Sequence, residues 1–149
     1  MALTLSSKTQ YAILALIELA QNYASGEPVQ MQHLATQQDI PDRYLEQLLA
    51  MLKQFKLVRS YRGPRGGYLL AREPRAITLL EIVRAMEGEV TQRGGTENGD
   101  RKTATPLVQE VWHEACQAAD AVLASYTLQN LMEKWDAQRQ SPTNFMYYI

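Results

Sequence analysis

The stretch 41–71 constrains the fold of this chain more than any other part of the sequence. In its first half, apolar side chains recur at the spacing of one helix face, and polar side chains fall on the opposite face. The apolar set is Leu45, Leu48, Leu49, Leu52 and Phe55; the polar set is Arg43, Glu46, Gln47 and Gln54. The pattern predicts a helix over 41–55 that packs by one face only.

The second half of this stretch predicts a basic β-hairpin over 57–71. Apolar and polar residues alternate over 57–61, the run breaks at the Gly-Pro-Arg-Gly-Gly of 63–67, and it resumes over 68–71. Gly66 and Gly67 are expected to adopt positive φ at the tip, and Pro64 to stiffen it. Between Lys53 and Arg75 lie seven basic residues and one acidic residue. Phosphate is the expected counter-charge.

The preceding residues predict the helix-turn-helix to which such a hairpin belongs. A first helix is expected from Ser7, with Gln10 completing a capping box, to about Tyr23. Its apolar positions nearly encircle its axis, so we expect it to be buried between the DNA-binding unit and another body, for which a second subunit is the favoured candidate. A short second helix and the turn 39–41 follow. The predicted fold is mainly α with a small β-hairpin, a winged helix-turn-helix.

Composition limits the class of protein. The chain has 149 residues, 46% of them hydrophobic, one cysteine and a net charge of −1. Residues 1–87 contain ten Lys/Arg and eight Asp/Glu, whereas residues 88–149 contain five and eight, so the basic half is the candidate for DNA contact. With neither a long apolar run nor a leader pattern, no membrane association is expected and the cytoplasm is the expected location.

Beyond the hairpin, the chain is expected to form a fourth helix over 77–86 and to end its DNA-binding domain at residue 88. Residues 89–105 contain two apolar side chains and several Gly, Asn and Asp, which predicts a flexible loop. Residues 106–140 are interpreted as a long dimerisation helix, to about Tyr126, and a short following helix. The tail 141–149 is aromatic and apolar without periodicity, and its role stays open.

The long helix has a broad apolar stripe with small residues interspersed, and we interpret one side of it as a homodimer seam. The seam residues are Val108, Val111, Trp112, Ala115, Ala119 and Val122. The alternative is that the stripe packs back on its own domain.

Several motifs together resemble the Rrf2 family of bacterial transcription regulators, with their order and spacing kept over about residues 1–135. The motifs are Leu3 to Lys8, Tyr44 to Leu48, Arg62-Gly63-Pro64, Gly66 to Leu70 and Ile77 to Val83. The resemblance implies a dimeric DNA-binding protein. It places Tyr44, Glu46 and Gln47 in a recognition helix and Arg62 in a minor groove. Arg65 departs from the glycine that is usual there in cluster-binding members, and it should add non-specific affinity.

The chemistry of these side chains suits contact with a duplex. Gln47 has an amide for adenine, Glu46 can accept from cytosine, and Arg43 can bind guanine or phosphate. Glu46 also repels phosphates, which favours selection of sequence over affinity. The remaining candidate contacts are Lys8, Lys56 and Arg59. The competing interpretations are a merely solvated helix face and a hairpin that is basic only for solubility.

No catalytic or metal-binding spacing is discernible, so an enzyme is not predicted. Cluster-binding members of the resembled family carry three cysteines in the loop after the fourth helix, and residues 89–105 contain none. Cys116 is the only thiolate candidate and is interpreted as a buried small hydrophobe. We therefore expect no iron–sulfur cluster and no other cofactor, although a cluster held by one cysteine per subunit with Glu, His or Asp ligands stays open.

These observations predict a homodimeric regulator, most simply a repressor, that binds a pseudo-palindromic operator with helix 41–55 and wing 57–71. The alternative is a protein-interaction module with the same fold, which regulates or is regulated by a partner enzyme. DNA binding at the promoter of its own gene distinguishes the two.

Overall fold

A computed structural model describes residues 5–88 and 103–140. The expectations for the loop 89–102 and the tail 141–149 lie outside the described residues. The helices and strands are α1 (Ser7–Gln21), α2 (Met31–Gln38), α3 (Asp42–Gln54), β1 (Val58–Tyr61), β2 (Gly67–Leu70), α4 (Leu79–Glu87), α5 (Thr105–Ser125) and α6 (Leu128–Gln140). The predicted class, mainly α with a small antiparallel hairpin, is confirmed.

The start of α1 differs from the prediction. Ser6, and not Ser7, is the N-cap, because its backbone is extended and its side chain accepts a hydrogen bond from the N–H of Thr9. Ser7 is the first helical residue, so the predicted capping box with Gln10 does not form. The helix ends at Gln21, and a 3₁₀ turn over Tyr23–Ser25 follows.

One hydrophobic core joins the helix-turn-helix to α6. Fully buried side chains from α1, α3 and α4 meet in it, and Leu128 at the start of α6 belongs to the same cluster. The first helix packs against α6 as well as against α2, α3 and α4. On this side α1 is therefore covered by α6 of the same chain, and contact of α1 with a second subunit stays a prediction.

Helix α2 is fixed to α1 by a buried carboxylate. Glu18 of α1 is buried, and its carboxylate lies 3.3 Å from Nε2 of His33 and accepts a hydrogen bond of 3.1 Å from the amide of Gln38. His33 and Gln38 lie near opposite ends of α2, so the Glu18 side chain contacts this helix at both ends. These contacts orient α2 on α1, and a tight turn connects α2 to α3.

The hairpin pairs Val58 with Leu70 through Tyr61 with Gly67, in antiparallel register. A bridge between Val29 and Tyr68 adds a short third segment beside β2. The prediction of positive φ at both Gly66 and Gly67 is half wrong. Gly67 has a φ of +152°, whereas Gly66 is required for space, because a Cβ there would lie 2.2 Å from the carbonyl oxygen of Tyr61.

Helix α4 begins two residues later than predicted, since Thr78 is its N-cap and forms a complete capping box with Glu81. The segment before α4 is joined to the junction of α5 and α6 by two backbone hydrogen bonds. The N–H of Leu79 donates to Tyr126 at 2.9 Å, and the N–H of Leu128 donates to Ile77 at 2.8 Å. These bonds join the junction of α5 and α6 to the residues that link the wing to α4. In the described ranges, no helix is long and apolar enough to span a bilayer.

Candidate nucleic-acid interface

Helix α3 presents a polar face on a firmly anchored base. Its four leucines, Leu45, Leu48, Leu49 and Leu52, are at most 1% exposed. The predicted contact residues Arg43, Tyr44, Glu46 and Gln47 are all exposed. Pro41 is the N-cap rather than the first helical residue, so the helix spans 42–54 instead of 41–55. The anchored leucines leave little freedom for the polar face to shift.

The charged side chains of this face are not neutralised by the residues that the structure describes. Neither Arg43 nor Glu46 forms an ion pair with another described residue. Asp42 provides negative charge in the first turn of α3. With Glu46 it makes the face mixed in sign, which suits discrimination between bases better than attraction to phosphate.

The wing tip is a tight turn that holds two arginines. The N–H of Gly66 donates to the carbonyl oxygen of Gly63 at 2.9 Å, which closes a four-residue turn around Pro64 and Arg65. Arg62 precedes this turn, and both arginines are exposed and without a carboxylate partner in the described part of the chain. Two unpaired guanidinium groups at the end of a narrow hairpin fit the negative potential of a minor groove.

An open groove of about 770 Å³ lies between the end of α3 and β1. Lys53, Lys56 and Arg59 line it, together with the exposed ring of Phe55. Lys56 has a φ of +61°, which turns the chain sharply from the helix into the strand. The groove brings together two predicted contacts, Lys56 and Arg59. It adds Lys53, which could have been selected from its place in the basic run.

Two of the seven basic residues between Lys53 and Arg75 are already paired. Arg72 bonds Glu81 at 3.1 Å and also donates to the carbonyl oxygen of Ala76, and Arg75 lies 3.3 Å from Glu73. These two arginines contribute less to a phosphate-binding surface than the simple count suggested.

Lys8 is exposed in the first turn of α1. One turn further along, the ring of Tyr11 lies 6.1 Å from the ring of Tyr44, measured between centroids, at an interplanar angle of 49°. The first turns of α1 therefore lie beside the start of α3. Nothing in the sequence pattern indicated the contact between Tyr11 and Tyr44.

One side of α5 is an exposed apolar stripe in the single chain. Trp112 is 54% exposed and Val108 is 64% exposed; Val111, Ala115 and Val122 are exposed as well, and Ala119 is half-buried. The side of α5 that packs on α4 contains Cys116, and Arg84 of α4 lies 3.8 Å from Asp120. The five exposed residues of the predicted seam therefore do not pack back on the described part of their own chain, whereas Ala119 lies at the edge of the packed side.

The chain offers few soft donors for a metal ion or cluster. Cys116 is the single cysteine, is 5% exposed and belongs to a helix packed on α4. Within 5–88 and 103–140, His, Cys, Asp and Glu side chains do not gather in groups of three or more. One cysteine falls short of the several thiolates that ligate iron–sulfur clusters in proteins.

Comparisons with known proteins agree with this architecture. Residues 5–134 match the family model of Rrf2, an iron-dependent transcriptional regulator. The chain belongs to the Rrf2 family. It is 34% identical over 145 residues to the transcriptional regulator CymR of Bacillus subtilis, which covers 97% of this chain and 99% of CymR.

Solved Rrf2 structures extend the comparison to the fold. The structure of CymR, the global cysteine regulator of B. subtilis, superposes with a TM-score of 0.76 at 34% identity, covering 89% of this chain and 98% of CymR. IscR of T. potens gives 0.74 at 35% identity, covering 99% and 98%. The predicted winged helix-turn-helix fold and the assignment to DNA-binding transcription regulators of the Rrf2 type are confirmed.

Proposed function

We propose that this Rrf2 protein acts as a homodimeric repressor that binds a pseudo-palindromic operator. In each subunit, α3 enters a major groove and the wing tip enters the adjoining minor groove. The observation that carries the proposal is an exposed polar helix face on the same hydrophobic core as a wing tip whose two arginines have no ion-pair partner in the described part of the chain. Base contacts then come from Arg43, Glu46 and Gln47, and groove contact from Arg62.

Phosphate contacts surround these base contacts. Lys8 lies one turn before Tyr11 on α1, Lys56 and Arg59 line the groove at the end of α3, and Arg65 lies at the wing tip. Because each such contact releases counterions from DNA, the affinity should fall steeply with salt. The backbone contacts set the register of the protein on the duplex, and α3 selects the sequence.

The dimer is supported by the apolar stripe of α5. An unpartnered row that includes valines and a tryptophan is costly in water, and a second copy of the same helix covers it by two-fold symmetry. The backbone hydrogen bonds that join the end of α5 to the residues before α4 make the spacing of the two wings depend on this seam. Repression follows most simply from occlusion of RNA polymerase by the bound dimer.

A titration of the purified chain with duplex DNA tests this function. The probe is the DNA upstream of its own gene, and the control is a duplex of the same length and composition with scrambled sequence, at one fixed salt concentration. We expect tighter binding to the upstream DNA. The logarithm of the binding constant should fall linearly with the logarithm of the salt concentration, with a slope that corresponds to several phosphate contacts. Equal binding to both duplexes, or none, contradicts the proposal and favours the alternative of a protein-interaction module governed by a partner enzyme.

We also propose that this chain regulates without a cysteine-ligated iron–sulfur cluster and without enzymatic activity. Soft, anionic sulfur stabilises cluster iron far better than hydroxyl or amide oxygen does, and one cysteine is too few. Anaerobic incubation with iron and sulfide, followed by visible absorption and iron quantitation, is the test. Stoichiometric iron in the wild type that is lost in Cys116→Ser contradicts the proposal.

A further inference from the structure

The ring contact between Tyr11 and Tyr44 links α1 to the start of the recognition helix. Tyr44 is 52% exposed, and its hydroxyl has no hydrogen-bond partner among the described residues. The tilted ring of Tyr11, 6.1 Å away and half-buried, is the aromatic neighbour that limits its rotation. A side chain held in this way loses less conformational entropy when it contacts a ligand.

Tyr11 is itself well placed to act as a fixed support. The turn of α1 that precedes it is capped by Ser6, and Thr9 in that turn is completely buried. The hydroxyls of Ser6 and Thr9 both donate to the carboxylate of Glu87, the last residue of α4, with 2.6 Å between the Thr9 and Glu87 oxygens. These hydrogen bonds fix the first turn of α1 to the end of α4, and Tyr11 in the next turn packs against the hydrophobic core.

We propose that Tyr11 is a positioning residue for DNA recognition, whose ring holds the ring of Tyr44 in the orientation in which it contacts the operator. Tyr11 acts through Tyr44 and does not itself bind DNA. The proposal rests on the proposed function, because it requires α3 to lie against DNA. It assigns a role to a residue of α1 that lies outside the helix-turn-helix.

Two substitutions separate the ring of Tyr11 from its hydroxyl. Tyr11→Phe keeps the ring, and we expect it to bind the operator as the wild type does. Tyr11→Leu removes the ring, and we expect it to lower specific affinity about threefold to tenfold, the range for one side chain that must be immobilised on binding. If Tyr11→Phe loses as much affinity as Tyr11→Leu, the hydroxyl acts directly and the positioning role is refuted.

A double-mutant cycle with Tyr44→Leu provides the decisive readout. We expect Tyr11→Leu to have no further effect on operator affinity in the Tyr44→Leu background, because the two side chains act as one unit. A merely structural role of Tyr11 predicts the same loss in both backgrounds, and that result overturns the proposal. Tyr23→Leu is the matched control, since Tyr23 is a half-buried tyrosine in the 3₁₀ turn after α1 that packs on the same core.

Folding and function are separated within the same experiment. Thermal unfolding of each variant is followed first, and affinities are compared at a temperature where every variant is folded. Specific binding by the wild type with no coupling between Tyr11 and Tyr44 overturns this inference alone. Failure of the wild type to prefer any DNA sequence overturns the proposed function, and the inference with it.

Discussion

The peptide groups of Val29 and Tyr68 exchange two hydrogen bonds, of 2.9 and 2.8 Å, between the residues that precede α2 and the second strand of the wing. The wing is therefore joined to the helix-turn-helix at its side as well as through its own chain. A single scaffold of this kind fixes the distance between the base-contacting face of α3 and the arginines of the wing tip.

Gly67 makes this contact possible, and Gly67→Ala should break it. A Cβ at Gly67 would lie 2.4 Å from the carbonyl oxygen of Val29, and its φ of +152° is one that L side chains rarely adopt. We expect the free energy of unfolding to fall by roughly 2–4 kcal/mol. Urea unfolding measures this, with Gly26→Ala as the control, because Gly26 has a positive φ but open space around its Cβ position. Equal losses at both positions would show that the close approach has no energetic weight.

Arg62→Ala should weaken binding to the operator by about 1–3 kcal/mol without changing the stability of the fold. The guanidinium is exposed and unpaired in the described structure, so its removal costs no internal contact. Arg75→Ala is the control, since Arg75 is paired with Glu73 away from the wing tip. Titration of each variant with operator DNA at fixed salt should show a loss of affinity for Arg62→Ala only. Wild-type affinity in Arg62→Ala would show that the wing tip does not contact DNA through this residue.

Gln47→Ala and Lys56→Ala should have different consequences. Loss of the Gln47 amide should relax the preference at one base position, because that group contacts a base edge. Loss of Lys56 should lower affinity for all sequences about equally and reduce the salt slope by roughly one. A panel of single-base operator variants, measured at several salt concentrations, distinguishes them. Uniform weakening by Gln47→Ala would contradict its role in base contact.

Ala119→Arg should convert the dimer to a monomer. Ala119 lies in the apolar stripe of α5, and a charge buried there without a partner costs several kcal/mol. Gln117→Arg introduces the same charge at an exposed position of the same helix, on the side opposite the stripe, and should leave the dimer intact. Sedimentation at micromolar concentration is the measurement. A monomeric wild type would refute the assignment of the seam.

Acid should destabilise the protein partly through Glu87. Hydrogen bonds from the hydroxyls of Ser6 and then Thr9 hold the pKa of this carboxyl below its usual value of 4.5. A lowered pKa in the folded state means that the stabilisation is complete above the unfolded pKa. It is lost as the pH falls through the folded pKa. Glu87→Gln should therefore reduce stability at neutral pH and flatten its decline in acid, as urea unfolding at a series of pH values would show.

Local patterns in the sequence predicted much of this molecule. The leucine spacing of α3 and the glycines of the wing specify their elements within a few residues, because each is governed by near neighbours. Contacts between distant segments have no such signal. The buried Glu18, the bridge of Val29 with Tyr68 and the hydrogen bonds of Thr9 with Glu87 each depend on how helices are placed in space.

The candidate site shows the same division. The sequence pattern predicted that the charged residues of α3 and the wing are exposed. It did not predict which of them are already paired with another side chain. Arg72 is occupied by Glu81, nine residues away, and Tyr44 rests on Tyr11 of another helix. The packing of α6 on α1 was not predicted, because apolar residues all round a helix indicate that it is buried but do not identify what it packs against.

Selection of bound sequences from a pool of random duplex DNA tests the central claim most directly, because it presupposes no target gene. The purified wild-type chain is used at fixed salt, and Gln47→Ala is carried through the same selection. We predict an inverted repeat in which the two half-sites are separated by about one helical turn. The preference at one position of each half-site should be lost with Gln47→Ala. A pool without any enriched sequence, or the same enriched sequence with Gln47→Ala, would contradict base recognition by α3.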